Sequence, residues 1–378
     1  MDTLKDRILI GGAGPFLLAI ALAPGCGADG GDDASDLERT FTPERIGTAQ
    51  VPPSADGDVA LLSDETIACV INSYEVQVSC VDRSGAVVGA FGREGEGPGE
   101  FESLSDVLGG PDGTVGALDI GNDRFGVYEP SGTLMTEVPL PAAAVGLSPI
   151  RRFAETLAGV SITVFDPAAM QAGAGPGGYM TLFEVDIASA ELVREEEVPP
   201  VDAEVDCGRI LYGFPNPGGG WVFIACEGHL VFVGVGGEPT VVRAPAYTGE
   251  LPNDRDVAER IESMSFLATA GIPFDQERLD RYRNTPKNYH LLLGQQIFDD
   301  RGRLWIATQR DRDEFSYLDV YQPGEAAFIG SIRVDDRIMG FDVLGSTLVV
   351  VVERPLPPED PDGIADRAVD WYDIGEWR

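Results

Sequence analysis

Lysine and histidine are nearly missing from this 378-residue chain: Lys5, Lys287, His229 and His290 are the whole supply. Two imidazoles far apart in sequence do not make a multi-histidine zinc site, so each reads as a strand-end or surface residue. Positive charge of any kind is scarce. Sixty-three acidic residues against 27 basic ones leave a formal charge of −36. A surface so negative repels phosphate backbones and anionic headgroups, which excludes nucleic acid as a partner. No Gly-x-Ser-x-Gly elbow and no Cys-x-x-Cys pair occurs, so covalent catalysis lacks a nucleophile in a recognisable setting. The apolar run Ile8–Ala23 is broken by glycines and Pro15, too short for a membrane span. What is plentiful is material for a core and for turns: 43% hydrophobic residues, 47 glycines and 27 prolines.

The first 25 residues read as an export signal, with Lys5 and Arg7 ahead of that apolar run. Leu22-Ala23-Pro24-Gly25-Cys26 resembles a bacterial lipoprotein box, in which the cysteine after a small residue is lipidated. The alternative is ordinary cleavage after Ala23, which would release a soluble periplasmic or secreted protein. Residues 26–41 follow as a lipidated Cys26 and an acidic Gly/Asp/Ser-rich tether, too polar to repay ordering. The expected address is the bacterial cell envelope, by lipid anchor.

Four further cysteines fall into two close pairs, Cys69 with Cys80 and Cys207 with Cys226. Each pair is equidistant from a hairpin turn, so its members face each other across antiparallel strands, where a disulfide fits. Export to an oxidising compartment favours both bridges; four small buried thiols is the alternative.

Residues 80–92, 127–140 and 320–334 share one phrase: a strand, a tight turn with glycine, a second strand. A complementary phrase precedes each, at 63–71, 111–120 and 300–308, and 218–244 is a looser copy. Turn signals at this spacing predict an all-β repeat fold. The units are 57–92, 104–140, 148–199, 205–245, 291–334 and 336–374. The last offers three strands, so residues 42–51 are expected to supply its fourth and close the ring. Residues 168–180, rich in glycine, are expected to form a long hairpin loop. Between units four and five the rhythm breaks over about 250–290. Asn253 caps a helix carrying Val257, Ile261, Met264 and Ala268 at helical spacing, and a second helix is expected from about Asp275 to Arg283. This insertion is either a solvated cover over the ring or a substrate lid.

Phe91-Gly92-Arg93, then Gly97-Pro98-Gly99-Glu100-Phe101 and the stretch through Gly132, is similar to bacterial six-bladed β-propellers of the NHL-repeat type. The resemblance implies a six-bladed β-propeller over residues 42–378, and many such proteins are exported lipoproteins. Its pattern falls here on Asp112-Gly113, Asp119, Asn122 and Arg124. Glycines 92, 95, 97 and 99 are expected to let the chain pass from the outer strand of one blade to the inner strand of the next, with Phe101 packing between blades. A phosphate-cradling role is excluded by the flanking glutamates and by the absence of a following helix.

Arg93, Arg124, Arg303 and Trp305 stand where blades begin or meet and are candidates for ligand binding, or for tying blades together through carboxylates. Related propellers include metal-dependent enzymes, so Asp106, Asp119, Asn122, Asp123, Asp299 and Asp300 are weak candidates for a Ca²⁺-type site in the channel; otherwise they are turn formers. No cofactor other than such an ion is expected. The expectation is a monomeric, non-catalytic module binding a small molecule or a protein. The alternative is a Ca²⁺-type hydrolase or lyase. A channel with converging carboxylates would favour the enzyme; one lined by Arg–carboxylate pairs would favour the binding module.

Overall fold

The computed structural model describes residues 39–72, 74–140, 144–147, 152–162, 180–199, 201, 203–205, 210–269, 275–291, 296–312, 315–356 and 363–377. The expected signal, Cys26, most of the tether, Cys207 and nearly all of the glycine-rich excursion at 168–180 lie outside these.

Six antiparallel sheets follow one another along the chain. Blade one is Val59–Leu61, Ile67–Asn72, Gln77–Asp82 and Val87–Phe91; blade two is Leu104–Gly109, Val115–Asp119, Arg124–Tyr128 and Leu134–Pro139. Blade three is Ala144–Leu147, Thr156–Ile162, Met180–Asp186 and Leu192–Glu197, starting four residues earlier than the repeat phrase implied. Blade four is Ile210–Pro215, Trp221–Ala225, His229–Val233 and Thr240–Arg243; blade five is Gln296–Phe298, Leu304–Ala307, Ser316–Gln322 and Ala327–Val334. Blade six takes Arg337–Leu344, Thr347–Glu353 and Arg367–Asp373 from the C-terminal end and Glu44–Val51 from the N-terminal end. Residues Ala49 and Val51 of that returning strand are buried with Val349, Val351 and Trp371. Thr40–Phe41, expected to belong to the tether, instead pairs in parallel with the outer strand of blade five at Ser331 and Ile332. The fold is a six-bladed β-propeller, shut by both ends of the chain.

Middle strands are covered on both sides, which is why they read as unbroken apolar runs such as Trp221–Ala225 (WVFIA) and Thr347–Glu353 (TLVVVVE). The repeated turn phrase has a local cause. In Asp82-Arg83-Ser84-Gly85 the Asp82 carboxylate accepts from the Ser84 and Ala86 amides at 2.8 and 3.0 Å, while Gly85 sits at φ +88° and donates to the Asp82 carbonyl. The core is divided among blade interfaces. One cluster joins blades one and two through Phe101 and Tyr128, another joins two and three, a third runs from three through four into five, and two more join five to six and six to one.

The insertion between blades four and five holds two helices, α1 (Asp254–Thr269) and α2 (Gln276–Arg283). Asn253 caps α1 reciprocally: its side chain accepts from the Asp256 amide at 3.0 Å, and Asp256 accepts from the Asn253 amide at 2.9 Å. Met264 is buried, but Ile261, on the expected apolar stripe, is exposed. The segment docks largely through charge. Lys287 joins Asp256 of α1 at 3.1 Å to Glu250 at 3.4 Å, and α1 reaches blade six through the ion pairs described below.

Candidate functional site

The residues singled out by motif are engaged inside the fold. In the connector between blades one and two, positive φ is required at Gly92 (+96°) and Gly99 (+73°), where an L side chain is strained; Gly97 does not need it. Arg124 clamps this connector. Its Nη2 donates to the carbonyls of Gly97 and Glu100 at 3.0 and 2.5 Å, and its Nε to Asp119 at 3.3 Å. Asp119 accepts the Ser103 amide at 2.9 Å and Asn122 Nδ2 at 2.7 Å, and Asn122 Nδ2 also reaches the Gly95 carbonyl at 3.1 Å. Asp123 is a left-handed turn residue (φ +48°) whose carbonyl accepts from Leu140. Arg93 is exposed and pairs with Glu100, Nε to Oε1 at 2.8 Å.

Arg303 and Trp305 converge on a different carboxylate. Asp299 accepts Arg303 Nε at 2.7 Å and Trp305 Nε1 at 2.9 Å, and the Arg303 guanidinium lies over the rings of Trp305 and Trp377. Asp300 is an exposed turn residue. Asp106, on the inner strand of blade two, is buried and accepts from the Val107 amide at 3.2 Å. Among the described residues no group of three or more His, Cys, Asp or Glu is placed to hold a metal ion. The bridge Cys69–Cys80 is formed in the expected register; Cys226 is disulfide-bonded, and its expected partner Cys207 is outside the described residues.

In the channel, Asp342 of the inner strand of blade six accepts the Leu61 amide of blade one at 2.7 Å. Arg152, beyond the inner strand of blade three, donates Nη1 to the same oxygen at 2.6 Å. Blades three and six are opposite in a six-fold ring, so this ion pair bridges the ring at the channel mouth where inner strands end.

The other face carries the turns between second and third strands and the connectors between blades, and here a cavity of about 470 Å³ opens. Four arginines border it, from four separate segments: Arg255 of α1, Arg312 of the blade-five turn, Arg337 at the start of blade six and Arg354 in the blade-six turn. Pro355, Leu356 and Ala365 form an apolar side. Arg255 donates to Glu353 at 2.6 Å and lies 3.5 Å from Glu259, which also takes Arg337. Arg354 pairs with Asp336, and with Asp370 at 2.7 Å. Two helix residues one turn apart, Arg255 and Glu259, thus fasten α1 to the rim. Arg312 is different: among the described residues its hydrogen bond is to the Ile338 carbonyl, at 3.5 Å. Burial, with Arg337 close by, pushes its guanidinium down to about 10.

Beside the insertion, blade five encloses a second polar group. Asp319 is fully buried, accepting Ser331 Oγ at 2.6 Å and Tyr321 Oη at 3.4 Å. Burial, partly offset by the Ser331 hydroxyl, pushes its carboxyl up to about 6. Tyr321 also meets His290 Nε2 at 3.3 Å. Burial, reinforced by nearby His229, pushes His290 down to about 3, so both histidines of the chain fall in one neighbourhood after all. His229 begins a strand, as expected, whereas His290 is buried in an isolated bridge to Thr308 outside the blade strands; their proximity was not expected. Neither the arginines of the cavity nor Asp319 was singled out from the sequence. A signal existed for both. Each cavity arginine has an acidic residue beside it at a blade turn or connector, and Asp319-Val320-Tyr321 recurs as Asp370-Trp371-Tyr372.

No family model matches the chain, and no curated protein does. Among solved structures, the U3-55K structure is 12% identical, with a TM-score of 0.50 over 87% of this chain and 99% of that one. A member of the DUF4221 family from Bacteroides vulgatus is 9% identical (TM-score 0.49, 87% and 96%). Virginiamycin B lyase from Staphylococcus aureus is likewise 9% identical (TM-score 0.44, 86% and 98%). At such identities the likeness concerns the fold alone.

Proposed function

We propose that this protein is an exported, lipid-anchored propeller that binds a ligand non-catalytically at a bacterial cell envelope, in the cavity beneath α1. The observation that carries the reading is the cavity itself. Its volume suits a small organic ligand, it lies on the connector face, and a helix outside the blade repeat is fastened across its rim by Arg255 and Glu259. Two features support it further. Arg152 and Asp342 form in the channel the Arg–carboxylate pair expected of a binding module. The sequence before residue 39 has the composition of a signal, a lipidation cysteine and a tether, and no helix among the described residues is long and apolar enough to cross a membrane.

Ligand-observed NMR with a fragment panel on the full-length protein tests the site. Ala365→Trp would fill the apolar side of the cavity. Binders that the variant loses support the assignment; a panel whose binders all survive it overturns it. Mass spectrometry of the mature N-terminus tests the anchor, which requires a diacylglyceryl mass on Cys26.

A further inference from the structure

Among the described residues, the charges that line the cavity do not balance. Arg255 is matched by Glu353 and Glu259, Arg337 by Glu259, and Arg354 by Asp336 and Asp370. The acids of the wall are committed in turn. Glu353 also takes Arg367 at 3.7 Å, Asp336 lies 4.0 Å from Arg45, and Asp335 faces Arg333 at 3.8 Å. Arg312 is left over, the one arginine of this wall that forms no ion pair with a described carboxylate, although Glu259 and Asp256 attract it from a longer distance.

We infer that the cavity takes a small organic monocarboxylate, its carboxylate on Arg312 and its apolar body against Pro355, Leu356 and Ala365. This rests on the cavity being the ligand site. A guanidinium presents paired N–H donors that match a carboxylate, and such charge-assisted bonds are among the strongest in proteins. Leaving a partly desolvated guanidinium with a single carbonyl at 3.5 Å forfeits those bonds. Among the described residues of the wall, positive charge exceeds negative by one. A second negative charge on the ligand would meet Asp335, Asp336 and Glu353, so a dianion such as phosphate is disfavoured by like-charge repulsion. In a chain of net charge −36, long-range steering opposes anions, so recognition has to come from this local excess rather than from the protein's field.

The probes are phenylacetate and its neutral near-isostere phenylacetamide, titrated calorimetrically into the full-length protein at low salt. The expected result is saturable binding of the acid at least tenfold tighter than of the amide, as a charge-assisted pair implies. Arg312→Gln should bring the acid to the affinity of the amide, and Arg312→Lys, which keeps the charge without the fork, should fall between. Absence of acid binding, equal binding of acid and amide, or an Arg312→Gln protein that binds the acid as before would each overturn the inference. Thermal melts of the variants are compared with the parent, so that a folding defect is not read as lost binding. If fragments still bind and are lost in Ala365→Trp while charge makes no difference, the cavity stands as a ligand site and only its anion preference fails.

Discussion

Three blades fill one position of the third strand with glycine or aspartate, and the consequences differ. In blade two Gly126 stands two residues before Tyr128; in blade five it is Asp319 before Tyr321, in blade six Asp370 before Tyr372. Asp370 is paired with Arg45 at 3.0 Å and Arg354 at 2.7 Å, and accepts from Thr48 at 2.6 Å. Asp319 has the equivalent hydroxyl, Ser331, but no salt bridge among the described residues, and Tyr289, Tyr321, His290 and Arg310 around it do not replace one. With its folded pKa about 6, above the roughly 3.9 of an unfolded aspartate, the folded state binds the extra proton between these values. Stability from this group is therefore complete below about pH 4 and falls as pH rises through 6, by on the order of 3 kcal/mol. His290 acts oppositely. Its depressed pKa means that stability is lost as pH falls from about 6.5 toward 3. Asp319→Asn removes the first slope and leaves the second. Urea unfolding at pH 4, 5, 6 and 7.5 should show the variant level with the parent at the acid end and more stable at pH 7.5. A variant equally destabilised at every pH would mean that Asp319 is a conventional hydrogen-bonding group.

At the scale of single elements, the hairpin of blade one is where sequence and structure meet most directly. Cys69 and Cys80 are directly opposed partners in the ladder, both fully buried, 4.0 Å apart at Cα. Closing this twelve-residue loop restricts the unfolded chain by about 3 kcal/mol on the chain-entropy account. The double variant Cys69→Ala/Cys80→Ala should lower the urea midpoint accordingly with its slope nearly unchanged. Thiol titration of the denatured parent should find neither cysteine free. The bridge was legible because a hairpin's register follows from its turn, and the blades because several reuse one turn chemistry, as at Asp82–Gly85 and Glu129–Gly132. The cavity was not legible. Arg255, Arg312, Arg337 and Arg354 span about a hundred residues, and each taken alone resembles a solvated surface cation; only the ring brings their four segments together. Arg303 and Trp305 were conspicuous for the opposite reason, since a local knot around Asp299 needs rare side chains close in sequence.

For the molecule as a whole, closure is the property on which cavity and channel depend. Glu44–Val51 pairs along the full length of Arg367–Asp373, so blade six is assembled from residues more than three hundred positions apart. The strand supplies a ladder, the buried Ala49 and Val51, and two of the partners of Asp370. Losing these together is expected to cost on the order of 5 kcal/mol, much of the roughly 5–15 kcal/mol that a typical domain possesses. Removing residues 39–51 also leaves Arg367–Asp373 as an open edge with unpaired donors and acceptors, which invites pairing with another copy. The truncated protein should therefore melt well below the parent and elute partly as dimers or larger species in size-exclusion chromatography. A synthetic peptide of residues 39–51 supplied in excess should restore the monomer and most of the lost melting temperature, because it returns the missing strand without reconnecting the chain. A reversed-sequence peptide should not, since it cannot place Arg45 and Thr48 on Asp370 together with Ala49 and Val51 in the core. If the truncated protein stays monomeric and melts like the parent, the N-terminal strand is an ornament on a ring held by its C-terminal strands alone, and the cavity, whose Arg354 shares Asp370 with that strand, owes nothing to closure.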